Sequence, residues 1–231
     1  MSRDWFGPVR IPQILALPVP LPVAKGLPST AFPFPWSVRH WLPGETVDAA
    51  ADVDRSALAG QLGGLLRELR QAPAALGPAA GRHSHFRGCH PSVYGDQVET
   101  ALARLNGVVD VARCRSIWAN ALTSAWPTTA VWFHGDVAAG NLLTSHGKLS
   151  AVIDFGTCGV GDPACDLVMA WTYFRGAERK LFAESVALDE CTWQRARGWA
   201  LWKALATMAG LSSPEPSGSQ PKVLDELLRD Q

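Results

Sequence analysis

Proline constrains the first part of this chain more strongly than any other residue. Nine of the 17 prolines lie within residues 1–44. A proline inside a helix removes a hydrogen bond and clashes with the preceding turn, so long helices are excluded from this part. Only short extended pieces remain available there, and we predict them at Ile14–Leu17 and Trp36–Leu42.

Beyond Gly44 the apolar residues recur at helical spacing, which predicts that much of the remaining chain is helical. Either Asp52 or Asp54 can cap the first of these helices, whose leucines recur between positions 58 and 69. Further helical patterns occupy residues 98–105, 117–122 and 193–208, and the last of them ends near Gly210.

Short apolar strands interrupt the helices in the middle of the chain. Val131–Phe133 predicts one strand, and Leu142–Leu143 with Leu149–Ile153 flank a Ser-His-Gly sequence that is typical of a hairpin turn. Strands and helices do not alternate regularly, so the order predicts an α+β fold. Five of the ten tryptophans fall on apolar faces and are predicted to lie in the core: Trp118, Trp132, Trp171, Trp193 and Trp202.

The composition narrows the class of protein. The 231 residues include 21 basic and 21 acidic side chains and are 47% apolar, which is typical of a globular protein. The zero net charge argues against a nucleic-acid binder, and no apolar run reaches the length of about 18 residues that a membrane span needs. The five scattered cysteines favour reduced thiols and a cytoplasmic location, and no segment has the pattern of a signal peptide.

The chemistry-bearing residues lie between His134 and Asp166. His134-x-Asp136 is followed by four residues and Asn141, and the predicted hairpin then leads to Asp154-Phe155-Gly156. This is the order of the catalytic and metal-binding loops of kinases. Phosphoryl transfer needs oxygen ligands for magnesium and a carboxylate that accepts the proton of the attacking hydroxyl. Asn141 and Asp154 supply the first, and Asp136 supplies the second. The alternative is that these residues merely form turns and caps, which Asp and Asn favour.

The segment resembles the aminoglycoside phosphotransferase family, whose members have a protein-kinase-like fold and phosphorylate small molecules. The likeness rests on His-Gly-Asp-x4-Asn-Leu-Leu, Val-Ile-Asp-Phe-Gly and Gly-Asp-Pro-Ala-x-Asp-Leu, and it runs from about residue 14 to the end. The resemblance implies ATP and Mg²⁺ as cofactors, Asp136 as the catalytic base, and Asn141 and Asp154 as metal ligands. It implies supporting roles for His134 and Asp166.

The resemblance also implies where the nucleotide lies. The backbone around Arg39 and Trp41 would meet the adenine, and Glu45 would approach the ribose. Trp36 and Trp41 either line the nucleotide cleft or pack at the lobe junction. The implied domains are partial N-lobe strands and hinge over residues 1–44, a mostly helical C-lobe over 45–211, a linker over 212–221 and a terminal helix over 222–231.

Some kinase features are not found in the sequence. No Gly-x-Gly-x-x-Gly precedes the hinge-like segment, and Lys25 lies only 14 residues before Arg39, too close for the phosphate-binding lysine of a complete N-lobe. We therefore predict a solvated turn lysine at Lys25 and a truncated N-lobe. Two explanations are open: the sequence starts within a longer protein, or it is a naturally reduced protein that binds without phosphorylating.

The acceptor is predicted to be a small molecule with a hydroxyl group. Only four residues separate Gly156 from Gly161, whereas protein kinases place a long segment there. No substrate-binding residue is assigned, and the oligomeric state is not readable. The cluster His83, His85, Cys89 and His90 fits no common zinc spacing. The alternative function is that of an inactive kinase-fold remnant or a small-molecule binding protein.

Overall fold

The computed structural model describes residues 15–212 and 219–229. Seven strands are present in these ranges: β1 (Pro22–Gly26), β2 (Trp36–Arg39), β3 (Glu45–Thr46), β4 (Val131–Phe133), β5 (Leu142–Ser145), β6 (Lys148–Val152) and β7 (Gly159–Gly161). They are accompanied by seven helices: α1 (Arg55–Gln71), α2 (Gly95–Arg104), α3 (Val111–Ala121), α4 (Met169–Thr172), α5 (Gly176–Val186), α6 (Glu190–Met208) and α7 (Gln220–Arg229). The predicted mixed fold is therefore confirmed.

The first described segment differs from its prediction. Residues 15–17 are not a strand, so the extended piece expected at Ile14–Leu17 is wrong where it is described, and Ile14 lies outside the described residues. The Ala16 amide donates to the Glu68 carboxylate of α1 at 3.0 Å, and Leu15 is buried in the core. A side-chain acceptor on a helix thus replaces the partner strand that an extended piece would need.

Residues 15–44 contain two strands and no helix, as the prolines predict. Strand β1 pairs antiparallel with β2, with Gly26 opposite Trp36 and Lys25 opposite Ser37. The sequence predicted β2 but not β1. Val19 is buried in the same core as the helices, and the division into a partial N-lobe over residues 1–44 and a C-lobe over 45–211 stays a prediction.

Helix α1 shows how local sequence signals build the large helical part. Asp54, not Asp52, caps it, because its carboxylate accepts a hydrogen bond from the Ala57 amide at 2.9 Å. The leucine face is buried against α5. At Gly63 a Cβ atom would come within 2.5 Å of the Ser185 side chain, so glycine allows the two helices to approach closely.

Helix α6 forms the centre of the helical part, because residues on most of its faces are buried. It ends at Met208, two residues before Gly210, near which its end was predicted. Four of the five tryptophans predicted for the core are buried, and Trp193 is partly buried. Helix α7 begins at Gln220, two residues before its predicted start, and packs on α4 and α6. No helix in residues 15–212 or 219–229 has the length and apolar character of a membrane span.

Two small sheets set the positions of the central loops. Strands β3, β5 and β6 form an antiparallel sheet with β5 in the middle, and the β5–β6 hairpin turns at His146–Gly147 as predicted. Strand β4 pairs antiparallel with β7, with Trp132 opposite Val160. The loop after β4 and the loop after β6 are thereby brought to the same region of the molecule.

Candidate active site

The loop between β4 and β5 holds the predicted catalytic carboxylate. Asp136 is exposed, and its carboxylate accepts a hydrogen bond from the Asn141 side-chain amide at 3.1 Å. The same amide nitrogen donates to the Asp136 backbone carbonyl at 2.9 Å. The short helical turn Ala139–Asn141 brings the two side chains together across five positions. The Asn141 side-chain oxygen is then the atom that a cation would meet.

The loop after β6 presents Asp154 beside this pair. The Ile153 amide donates to the Asn141 carbonyl at 3.0 Å, and the Ile153 carbonyl lies 2.9 Å from Nε2 of His134. The residue before Asp154 is thus bonded to both ends of the 134–141 loop. Asp154 itself has a left-handed backbone, with φ of 59°, and its carboxylate accepts from the Gly156 amide at 3.3 Å. The Ile153 hydrogen bonds therefore hold the start of the Asp154 loop against the loop that carries Asp136 and Asn141, and a common site of the three residues stays a prediction.

Asp166 lies beneath the 134–141 loop. Its buried carboxylate accepts hydrogen bonds from the His134 and Gly135 amides, both at 2.7 Å. Burial is the largest influence on this group and raises the pKa of the Asp166 carboxyl, although the His134 ring and the two amides act in the opposite direction. The His134 ring packs against Phe155 with ring centres 4.5 Å apart. These contacts lie beneath the loop that carries Asp136, and the supporting roles that the family resemblance implies for His134 and Asp166 stay predictions.

Gly135 is required by the backbone of this loop. Its φ is +88°, and a Cβ atom at this position would lie 2.7 Å from the Thr157 carbonyl oxygen. Thr157 also donates from its hydroxyl to the His134 carbonyl at 3.3 Å. The two loops therefore approach so closely that a side chain on residue 135 would separate them.

The residues present fit the magnesium ion that the family implies. Asp154 contributes an exposed carboxylate and Asn141 an amide oxygen, and both are hard oxygen donors. No group of three or more His, Cys, Asp or Glu side chains in the described ranges forms a complete metal cage. Magnesium that is bound with substrate phosphates takes only one or two protein carboxylates and completes its shell with phosphate and water, so this donor set suits it.

The segment predicted to meet the adenine, residues 39–41, begins at the last residue of β2. The Arg39 guanidinium donates to the Pro20 carbonyl at 3.2 Å, and the His40 amide donates to the Leu21 carbonyl at 2.8 Å. The Trp41 side chain is 93% exposed, so the interpretation that it packs at a lobe junction is wrong. Trp36 is 45% exposed and covers the position of Gly26. Contact of residues 39–41 with adenine stays a prediction.

Asp48 lies next to the candidate site, and the sequence did not indicate this. One of its carboxylate oxygens lies 3.5 Å from the point where a Cβ of residue 140 would sit, beside the loop that carries Asp136. The Val47 amide holds this segment there by donating to the Ala139 carbonyl at 3.1 Å. Glu45, which was expected near the ribose, lies in β3 opposite Thr144. The pairing of β3 with β5 and the hydrogen bonds of the Val47 amide place Asp48 here, and both are contacts with distant residues that no local signal indicates.

Two further predictions concern basic residues. Lys25 lies in β1, not in a turn, and its side chain is exposed. In the histidine-rich loop, His83 Nε2 contacts the Cys158 carbonyl at 3.2 Å, and His90 contacts the Ser92 hydroxyl at 2.8 Å and the Ser124 carbonyl at 3.1 Å. These contacts anchor the loop to its neighbours.

The cysteines near the site are shielded from solvent, which predicts slow alkylation. Burial raises the pKa of Cys158 to about 12 and raises that of Cys165 well above its ordinary value. Because only the thiolate reacts, we expect iodoacetamide at pH 8 to modify the exposed Cys191 rapidly and to leave Cys158 and Cys165 unmodified in the folded protein. Peptide mass spectrometry measures this, and equal labelling of Cys158 and Cys191 would contradict it.

Comparison with solved structures defines the class of fold. The structure of the GDP and kanamycin complex of APH(2")-IIia matches with a TM-score of 0.65 and 17% identity, over 97% of this chain and 80% of that one. The macrolide 2'-phosphotransferase MphH from Brachybacterium faecium matches with a TM-score of 0.56 and 21% identity, over 96% and 77% of the two chains. The streptomycin–ATP–APH(2")-IIa ternary complex matches with a TM-score of 0.56 and 18% identity, over 99% and 83%. The fold is therefore the kinase-like fold of these phosphotransferases.

The family follows from the sequence. The profile of the phosphotransferase enzyme family (APH) matches residues 6–204, so the chain belongs to that family. No curated protein matches the chain. The resemblance that the motifs predicted is thus confirmed at the level of family and fold.

Proposed function

We propose that this chain is an ATP- and Mg²⁺-dependent phosphotransferase that transfers the γ-phosphoryl group to a hydroxyl of a small molecule in the cytoplasm. The observation that carries the proposal is the convergence of Asp136, Asn141 and Asp154, held together by the two hydrogen bonds of Ile153. Membership of the phosphotransferase enzyme family supports it.

In the proposed reaction each residue of the site has one task. Asp136 accepts the proton of the acceptor hydroxyl while the hydroxyl oxygen forms a bond to the γ-phosphorus and the bond to the leaving ADP oxygen breaks. The Asn141 amide keeps the Asp136 carboxylate oriented. Asn141 and Asp154 would hold Mg²⁺, which when bound neutralises the charge of the phosphates. Positioning and charge supply most of the rate enhancement in such transfers.

The short segment after Asp154 supports a small-molecule acceptor. A single helical turn, Phe155–Thr157, leads directly to β7, which pairs with β4. This leaves no extended surface of the kind on which protein kinases seat a peptide. Relatives of this fold are solved with kanamycin, gentamicin and streptomycin, and another is a macrolide phosphotransferase. Antibiotics of these classes and other hydroxyl-bearing metabolites are the acceptors to test first.

One observation favours a second candidate, a protein that binds a small molecule without phosphorylating it. Residues 15–44 contain two strands and no helix, so this described part has no counterpart of the lysine–glutamate pair that orients phosphates in kinases. The proposed nucleotide site then depends on Asp154, Asn141 and the segment at Arg39 and Trp41.

Calorimetric titration with ATP, in Mg²⁺ and again in EDTA, tests the proposal. The phosphotransferase is expected to bind ATP in Mg²⁺ and to bind it about tenfold more weakly in EDTA. An assay of ADP release with a panel of aminoglycosides, macrolides and sugars then measures turnover. ATP binding without ADP release from any acceptor favours the second candidate, and absence of Mg²⁺-dependent binding excludes the first.

A further inference from the structure

The largest fully buried side chain in the described structure is a charged one, Arg195 of α6. Its Nε donates to the Asp162 carboxylate at 2.7 Å, and its Nη2 donates to the other carboxylate oxygen at 3.4 Å. The Arg195 side chain is 0% exposed and the Asp162 side chain is 5% exposed. The remaining N–H groups donate to the Ser124 hydroxyl, the Cys191 carbonyl and the Thr192 hydroxyl, at 2.8, 3.1 and 3.1 Å. All five N–H donors of a guanidinium are therefore matched.

The other half of the pair connects to the candidate active site. Asp162 caps the short helical turn Pro163–Leu167, because its carboxylate accepts from the Ala164 amide at 3.0 Å. Asp166 lies on that turn and holds the amides of His134 and Gly135, immediately before Asp136. The chain of contacts from α6 towards the proposed catalytic base thus consists of the Arg195–Asp162 pair, the backbone of the Pro163–Leu167 turn, and the hydrogen bonds from the His134 and Gly135 amides to Asp166.

We propose that Arg195 is a positioning residue that sets the placement of Asp136 through this chain; its catalytic consequence rests on the proposed function. The pair is buried, so an Asp162 carboxylate without Arg195 would draw in water or shift its turn. Because Asp166 is four residues further on the same turn, such a shift moves the acceptor of the His134 and Gly135 amides. A lysine offers three N–H donors from a single nitrogen and does not reproduce the planar, forked arrangement of the guanidinium donors.

Hydrogen exchange tests this positioning without requiring turnover. In Arg195→Lys we expect the amides of His134 and Gly135 to exchange about tenfold faster than in the parent protein, because their acceptor, the Asp166 carboxylate, is no longer fixed. The control is Leu227→Ala, a substitution of a fully buried residue in α7, which packs on α4 and α6. At matched global stability this control is expected to leave exchange in the 134–136 segment unchanged. Equal exchange in the two variants overturns the proposal.

A milder variant covers the case in which Arg195→Lys does not fold. Ser124→Ala removes only one acceptor of the guanidinium, and we expect a rise in exchange of about threefold in the same segment. No rise in Ser124→Ala, with Arg195→Lys unfolded, overturns the proposal.

Kinetics separate this proposal from the proposed function. If the parent protein turns over, Arg195→Lys is expected to lower kcat about tenfold while the KM for ATP stays within about twofold, because placement of the base affects the chemical step. A raised KM with unchanged kcat overturns the proposal. If the parent protein shows no turnover, the proposed function fails, and the exchange measurement still decides whether Arg195 positions the loop.

Discussion

Asp136→Asn is expected to lower kcat by about 10³-fold while leaving the affinity for Mg²⁺·ATP within about twofold. Asparagine has nearly the shape of aspartate but does not accept the proton of the acceptor hydroxyl. The exposed position of Asp136 and its hydrogen bond from Asn141 make a gross loss of structure unexpected. Steady-state ADP release and calorimetric ATP titration measure the two quantities on the same preparation.

The matched control is Asp225→Asn, the same change of charge at an exposed position of α7. It should leave kcat and ATP affinity unchanged. If Asp136→Asn retains more than about a tenth of the parent kcat, Asp136 is not the base, and proton transfer to another group or to water has to be considered.

Asp154→Asn is expected to act on the metal instead. The amide keeps the size of the side chain but loses the charge that attracts Mg²⁺, so the difference in ATP affinity between Mg²⁺ and EDTA should shrink by about tenfold. Turnover should fall by about 10³-fold, because the phosphate charge is no longer neutralised in the transition state. Titration of ATP at several Mg²⁺ concentrations distinguishes this variant from Asp136→Asn, whose metal dependence should be that of the parent.

Partial rescue provides the control for this second prediction. Raising the Mg²⁺ concentration should restore part of the activity of Asp154→Asn, because a weakened metal site fills by mass action at higher Mg²⁺. The same change should restore none of the activity of Asp136→Asn. An Asp154→Asn variant with the metal dependence of the parent protein would show that Asp154 is not a ligand. The hydrogen bond from the Gly156 amide would then be its main contact.

The parts of the fold that were predicted correctly are those with a local physical cause. The leucine spacing of α1 and the cap at Asp54 act within a few residues, and the Ser145–Gly147 turn separates two apolar strands. The candidate active-site residues could also be predicted from the sequence, because Asp136, Asn141 and Asp154 lie close together along the chain around one hairpin. The short spacing of these three residues along the chain limits how far apart they can lie in space.

The failures concern segments whose conformation is decided by distant partners. Residues 15–17 read as extended, but the Ala16 amide finds Glu68, which is 52 positions away on α1. Of the two interpretations of Trp41, packing at the lobe junction fails, because this residue, which lies after β2, is 93% exposed although tryptophan is usually well buried. Strand β1 was not predicted because it begins with a proline and ends with a glycine, and only its pairing with β2 identifies it as a strand.

The sequence by itself determined the family, the mixed fold and the three polar residues of the proposed site. The regular spacing of apolar residues encodes the fold locally, and the motif between His134 and Asp166 encodes the family and the three polar residues. Only the tertiary structure decided what holds that site. The Val47 amide after β3 reaches the Ala139 carbonyl of the 134–141 loop, and Arg195 reaches Asp162 across 33 positions. An arginine in a helix predicts a solvated side chain, and only the packing of α6 against the Pro163–Leu167 turn places Arg195 in a buried ion pair.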